Sequence, residues 1–370
     1  MTRVLIIEAQ LKQYRRRFLV ELAATLRARG IDLVVAYSAP TAAERTKGDT
    51  IELPGIAVEV PAYGLGDRIV LQHAWRLARG CDLVIFGQAN GQLLNYALVV
   101  RSWLGLQRVA YWGHGYNHQG SHHSWSERLK RRLLCVTDWW FAYTPSVARY
   151  LVEHGVPGRA ITTVFNTIDV DELASAVAAR DATAVRARIG CAAGARVGLY
   201  CGALVPAKQL GFLADAAAAI RERVAGFELV VVGDGPERAM LDAIAHYRPY
   251  LHIVGPAFGS DRADYFAAAE IALLPAQVGL AIVDAFAAGL PIVTTTAPGH
   301  GPELDYMTSS TGVQTAFDVD VYATAVAALF DDPTRLTEMR AAASASAAEL
   351  PLRRMVEQFA TGIVRCLEVA

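Results

Sequence analysis

At 370 residues the chain is long enough for two separate cores, and its 35 Lys+Arg nearly cancel its 36 Asp+Glu, so no global field favours nucleic acid as a partner. The five cysteines (Cys81, Cys135, Cys191, Cys201, Cys366) are odd in number and show no C-x-x-C spacing. That pattern argues for a reducing, cytoplasmic compartment and against a structural zinc site, and the thiols read as small core residues. The opening MTRVLIIEAQ lacks the long apolar core of a signal peptide, and no apolar run reaches the ~18 residues of a membrane span, so a soluble or peripheral protein is expected.

RVLIIE reads as a first buried strand, followed by a helix from about Arg16 to Arg29 and the strand IDLVVAYS. After Pro54 and Gly55 come a helix around Leu71–Arg79, the strand CDLVIFG, a helix near Leu93–Trp103 and the strand RVAYWGHG. Short apolar runs alternating with helices of this length imply a parallel sheet covered on both faces. The pattern continues through WWFAYT and ITTVFN, then loses its strands over 167–195, a polar, Ala/Arg-rich helical stretch read as a linker. RVGLYCGAL opens a second half: a helix from about Gln209, FELVVVGDG, a helix from Glu237, YLHIVG and a helix near Asp261–Ala269.

The stretch from Ile271 to Glu303 then reads strand (IALLP), tight loop (AQVG), helix (LAIVDAFAAG), strand (PIVTTT) and a Gly-rich loop opening a helix at Pro302. Two such turns place helix N-termini at one sheet edge, where unpaired N–H groups favour anions. Asp284 interrupts the apolar pattern of the first helix and suits ligand hydroxyls. Gly202 ends a strand and lets the chain turn near a ligand, and Lys208 just beyond it offers an ammonium for a diphosphate. Gly233, Asp234 and Gly235 read as a turn that needs glycine for structural reasons. The last segment, PLRRMVEQFATGIVRCLEVA, has apolar positions at helical spacing. The expected organisation is a domain over 1–166, the linker 167–195, a second domain over 196–350 and a C-terminal helix over 351–370.

The motifs GALVPAK (Gly202 to Lys208), VVGDGPE (Val231 to Glu237), VGLAIVDAFAAGLPIV (Val278 to Val293) and GHGPE (Gly299 to Glu303) resemble, in order and spacing, the nucleotide-sugar domain of family 4 glycosyltransferases. QLKQYR (Gln10 to Arg15), YWGHGYN (Tyr111 to Asn117) and NTID (Asn166 to Asp169) add a looser likeness to a bacterial polysaccharide-forming branch. The resemblance implies an α/β fold of two Rossmann-like domains facing across a cleft, the GT-B architecture, with the C-terminal helix packing back on the first domain. It implies that Gly202, Lys208, Gly279, Leu280, Ala281, Asp284 and Glu303 bind the donor, with Asp284 on the ribose. His114, between Gly113 and Gly115, is implied to touch the donor sugar, so that His114, Lys208 and Asp284 carry catalysis. Gln10, Arg15, Gly113 and Asn117 fall on the acceptor side.

Two departures stand out. The family's usual pair of glutamates falls on Ala276 and Asp284, and its usual arginine after the first glycine falls on Ala203. Arg15, Arg16, Arg238 and Arg262 are the cations able to compensate. HHSW (His122, His123, Trp125) lacks a carboxylate or cysteine at ligand spacing, and the family implies no metal and no cofactor beyond the nucleotide-sugar co-substrate. SWSERLKRRLL, with Arg128, Lys130, Arg131 and Arg132, suits an anionic membrane surface holding a lipid-linked acceptor, on the inner face of the membrane. The implied activity is a metal-independent, retaining transfer of a hexose-type sugar from a nucleoside diphosphate to a glycan or lipid-linked glycan in cell-surface polysaccharide assembly. A nucleotide-sugar 2-epimerase of the same architecture and a non-catalytic GT-B partner subunit are the alternatives.

Overall fold

Two parallel sheets organise the chain. The computed structural model describes residues 1–40, 49–65, 69–89, 91–115 and 133–368, so Asn117 and the HHSW and SWSERLKRR segments lie outside the described residues. One unit comprises 1–166 with 352–370, the other 167–351.

In the first unit the strands are β1 (Thr2–Ile7), β2 (Ile31–Tyr37), β3 (Ala57–Glu59), the hairpin β4 (Ala62–Leu65) and β5 (Ile69–Gln72), then β6 (Leu83–Phe86), β7 (Arg108–Gly113), β8 (Trp139–Ala142) and β9 (Ile161–Thr163). All but the hairpin form a parallel sheet in the order β3-β2-β1-β6-β7-β8-β9. Val4, Leu5 and Ile6 are wholly buried because the sheet is covered on both faces. Val4 and Ile6 pack with Phe18, Leu22 and Phe359, whereas Leu5 and Ile7 pack with Leu98, Trp140 and Leu151. The helix expected around Leu71–Arg79 is confined to Trp75–Arg79, because the β-branched run before it pairs antiparallel with Ala62–Leu65.

The C-terminal helix Leu352–Glu368 belongs to this first unit. Leu352, Met355, Val356, Phe359, Ile363 and Cys366 form one apolar stripe at helical spacing. Phe359 stacks on Phe141 at 4.2 Å, and Gly362 lets the helix approach β9, since a Cβ there would meet Thr162 Oγ1 at 2.6 Å.

The second unit holds β10 (Arg196–Cys201), β11 (Phe227–Val232), β12 (Leu251–Gly255), β13 (Ile271–Leu273), β14 (Ile292–Thr295) and β15 (Gly312–Thr315), all parallel, in the order β12-β11-β10-β13-β14-β15. Residues 167–195, expected as a linker, instead fold as two helices of this unit, Val170–Ala178 and Ala182–Ile189. Asp169 and Asp181 cap their N-termini, and Arg180 pairs with Asp264 of the helix Arg262–Ala268 at 2.5 Å. The helix expected at Pro302 is a 3-10 turn, Pro302–Tyr306, closed by Leu304 N–H to Gly301 O (3.2 Å) and Met307 N–H to Leu304 O (3.0 Å). Of the cysteines, Cys81, Cys191 and Cys366 are buried as expected, while Cys135 is exposed. Among the described residues no helix is long and apolar enough to cross a membrane.

Candidate active site

The strand order of the second sheet reverses between β10 and β13. At such a switch point, ligands of open α/β sheets sit outside the carboxyl ends of the strands. The segments leaving the sheet there are 202–209 and 274–281. Gly202 N–H donates to Val232 O (3.0 Å), Leu204 N–H to Asp234 O (2.9 Å) and Glu237 N–H to Leu204 O (3.0 Å). The GDG turn exists for this contact. Gly233 has φ +148, and a Cβ there would overlap Gly202 O.

The 3-10 turn Pro206–Lys208 then brings Lys208 to the second loop, where its Nζ donates to Gln277 O. Gln277 itself holds φ +48, an uncommon conformation for a residue with a Cβ. Burial lowers the Lys208 ammonium to about 8, against a smaller upward pull from the Glu303 carboxylate. Beyond Gln277, the N–H groups of Gly279, Leu280 and Ala281 have no backbone acceptor among the described residues. The space over Gly279 is open, since a Cβ there would meet only Glu303 Oε2, at 3.9 Å. A partly buried cation beside three consecutive N–H groups that lack a backbone acceptor among the described residues is an anion site in chemical terms.

His300, which sequence reasoning passed over inside the GHGPE motif, fixes this loop. Val278 N–H donates to His300 Nδ1 (3.1 Å), and His300 Nε2–H donates to Thr295 O (2.9 Å). The two bonds require the neutral ring with its proton on Nε2. Burial lowers the His300 pKa, the Thr295 carbonyl raises it, and the Lys208 charge lowers it. Gly301 N–H adds a bond to Val278 O (2.5 Å), knitting the loops after β13 and β14 together. The only sequence signal was a histidine between two glycines.

Asp284 lies in the first turn of the helix Ala281–Ala287, and its Oδ1 is 2.7 Å from Arg262 Nη1. The Asp284 side chain is 17% exposed and that of Arg262 23%, a mostly buried ion pair. Desolvation raises the Asp284 carboxyl pKa and Arg262 opposes the rise. Of the four arginines that could compensate for Ala203, Arg262 stands at this edge. Arg238 pairs with Asp242 at 3.1 Å, and Arg15 and Arg16 lie in the first unit. Glu303 is 4% exposed and Ala276 3% exposed. Gly202, Lys208, Gly279, Leu280, Ala281, Asp284 and Glu303 are thus all on the carboxyl edge of one sheet.

The first unit gathers a second polar group at the carboxyl edge of its sheet. His114 follows β7, is exposed, and meets Tyr143 edge-on with ring centroids 5.0 Å apart. Gly113 gives a Cβ open space, whereas Gly115 combines φ +70 with a Cβ position 3.1 Å from Leu151 Cδ2, so backbone conformation and packing both call for glycine there. Gln10 is half-buried just after β1. Arg15 is 6% exposed; it donates to Asn166 Oδ1 (3.0 Å) and Tyr143 OH (3.3 Å) and lies 4.3 Å above the Trp112 ring. Glu8, at the end of β1, was read only as strand. Its burial raises the carboxyl pKa, and Arg15 pulls it down.

Two family profiles match the chain, "Glycosyltransferase Family 4" over 16–172 and "Glycosyl transferases group 1" over 195–332. A 152-residue stretch is 30% identical to the GDP-mannose-dependent alpha-(1-6)-phosphatidylinositol monomannoside mannosyltransferase of Mycobacterium tuberculosis, covering 38% of this chain and 39% of that relative's length. Among solved structures, Anabaena HepE in complex with UDP superposes with a TM-score of 0.72 at 17% identity, covering 98% of this chain and 100% of HepE. A glycosyltransferase from Rickettsia africae superposes with a TM-score of 0.72 at 13% identity, covering 100% and 99% of the two chains. With one profile on each half and two Rossmann-like units of the GT-B kind, the chain belongs to the family 4 glycosyltransferases.

Proposed function

We propose that this glycosyltransferase moves a hexose-type sugar from a nucleoside-diphosphate sugar to a glycan or lipid-linked glycan acceptor, with retention and without a metal in the reaction, in cell-surface polysaccharide assembly. The observation that carries the donor class is Lys208, partly buried beside the N–H groups of Gly279, Leu280 and Ala281, which lack backbone acceptors among the described residues, at the switch point. The bound UDP of HepE and the GDP-mannose dependence of the mycobacterial relative support the same class. In this reading Lys208 and the three N–H groups hold the diphosphate and stabilise the charge that grows on the leaving phosphate. Asp284 keeps one oxygen on Arg262 and offers the other to the ribose hydroxyls. His114 contacts the donor sugar, and the basic segment around Arg128 to Arg132 meets an anionic membrane surface at the cytoplasmic face.

The experiment is nucleoside-diphosphate release from UDP-, GDP- and ADP-sugars with and without a lipid-linked glycan fraction. Release that depends on acceptor and is lost in Lys208→Ala is expected. Release of nucleotide with a free, epimerised sugar in the absence of acceptor would replace transfer by epimerisation. No release from any donor would leave a non-catalytic partner subunit.

A further inference from the structure

At the amino end of the second sheet, away from Lys208, three side chains from separate elements converge. Glu228 is the second residue of β11, His252 the second residue of β12, and Cys191 follows the helix Ala182–Ile189. One ligand atom from each lies within 4.8 Å of the others. The side chains of Glu228 and His252 are 7% and 12% exposed, and Cys191 is 9% exposed. His252 Nε2 stands 2.7 Å from Glu228 Oε2, while Ala192 N–H donates to Glu228 Oε1 (3.0 Å) and fixes the carboxylate. A carboxylate inside the apolar strand FELVVV is costly to bury, and its two hydrogen-bond partners leave room for a cation to complement its charge.

We propose that Cys191, Glu228 and His252 bind one zinc ion, with water as the fourth ligand. Sulfur, imidazole nitrogen and carboxylate oxygen together are a donor set that suits zinc over magnesium or calcium. The charges close as well. A thiolate and a carboxylate neutralise a divalent ion while the imidazole stays neutral, so nothing charged is left over in a buried position. Ligand bonds of about 2.0–2.3 Å in a tetrahedron need donor atoms roughly 3.3–3.8 Å apart, so the side chains have to shift by only about 1 Å. Binding releases the Cys191 thiol proton to solvent as the S–Zn bond forms, and Zn²⁺ undergoes no redox change. Because the thiolate is the ligand, metal uptake is a proton-releasing, pH-dependent step. The ion would clamp the end of the Ala182–Ile189 helix to β11 and β12. Glu228 lies four residues before the end of β11, roughly 13 Å from the carboxyl edge at ~3.3 Å per residue, so the clamp is separate from the transfer chemistry.

The test uses the full chain with Cys135→Ser, which removes the exposed thiol. After chelator treatment and chelator removal, Co²⁺ is titrated and the near-ultraviolet sulfur-to-cobalt charge-transfer band is followed, with Zn²⁺ then added as competitor. One equivalent of Co²⁺, a band that Zn²⁺ abolishes, and a Zn²⁺-dependent rise in melting temperature are expected. In Cys191→Ser the band should vanish, and in His252→Gln zinc affinity should fall by about 100-fold. No cobalt uptake at micromolar protein, or a band that survives Cys191→Ser, overturns the proposal. If Cys191→Ser does not fold, unchanged zinc affinity in His252→Gln overturns it equally.

Discussion

Replacing Lys208 by Met should abolish a pH dependence that the unmodified protein must show when it binds a nucleoside diphosphate. In the free protein, burial holds the ammonium at about 8, below its ordinary 10.5. A bound diphosphate supplies the counter-charge that burial removed and drives the value back up, so binding takes up a proton between these two limits. Affinity is then flat below pH 8 and falls above it, by up to tenfold per pH unit. Full recovery of the difference of about 2.5 pH units corresponds to a loss of about 300-fold by pH 10.5, or ~3.4 kcal/mol. The sign for folding is the opposite. The unfolded chain binds more protons at this residue between pH 8 and 10.5, so the free protein gains stability as pH rises through that window. Calorimetric titration of UDP and GDP at pH 7 and 9, in pairs of buffers with different ionisation enthalpies, measures the uptake directly. It should be near zero at pH 7 and approach one proton near pH 9. Lys208→Met should show none and should bind more weakly at pH 7 by about 1.5–3 kcal/mol. An affinity constant from pH 7 to 9.5, or equal proton uptake in Lys208→Met, would refute the assignment.

Three further outcomes follow from the same geometry. Asp284→Ala leaves Arg262 mostly buried without its counter-charge, so it should cost about 3 kcal/mol of stability in denaturant melts; Arg262→Met with Asp284→Leu should cost less than either single change, and additive costs would deny the ion pair its role. His114→Ala should leave nucleoside-diphosphate affinity nearly intact and lower transfer by about 100-fold, the mark of a contact made in the transition state; full transfer by the variant would remove His114 from the chemistry. His300→Ala strands Val278 N–H and frees the second loop, so donor affinity should drop by about 1–3 kcal/mol, and calorimetry showing an unchanged value would make His300 a spectator.

The alternation of RVLIIE, IDLVVAYS and CDLVIFG with helical segments was enough to read the first parallel sheet, because strands buried on both faces are uniformly apolar. The residues proposed to hold the donor stood out for a different reason: glycine, lysine and aspartate interrupt that apolar pattern at the carboxyl ends of strands. What failed to show had physical causes. Residues 167–195 look like a linker by composition, but two aspartate caps and the Arg180–Asp264 pair bind them to the second unit, and that partner is distant in sequence. Ile69–Gln72 carries both strand and helix signals, and pairing with Ala62–Leu65 decided between them. His300 was hidden because its role comes from burial and from backbone partners that no spacing rule encodes.

The two family positions that became Ala203 and Ala276 would have carried one cation and one anion. Their joint loss leaves the balance of the site unchanged. What remains is one ion pair, Arg262 with Asp284, the Lys208 ammonium within the field of the Glu303 carboxylate, and one imidazole held neutral by its two hydrogen bonds. In the free protein each of these charges therefore has one of opposite sign acting on it, which limits the cost of holding it out of water. A diphosphate entering this edge meets no surplus positive field. It must instead take over the Lys208 charge, which burial has already weakened, and fill the N–H groups left open by the loop. In the proposed reading, recognition rests on an exchange of partners at Lys208. That is why proton uptake, more than salt dependence, is the property that should distinguish this donor site from one built on an excess of arginines.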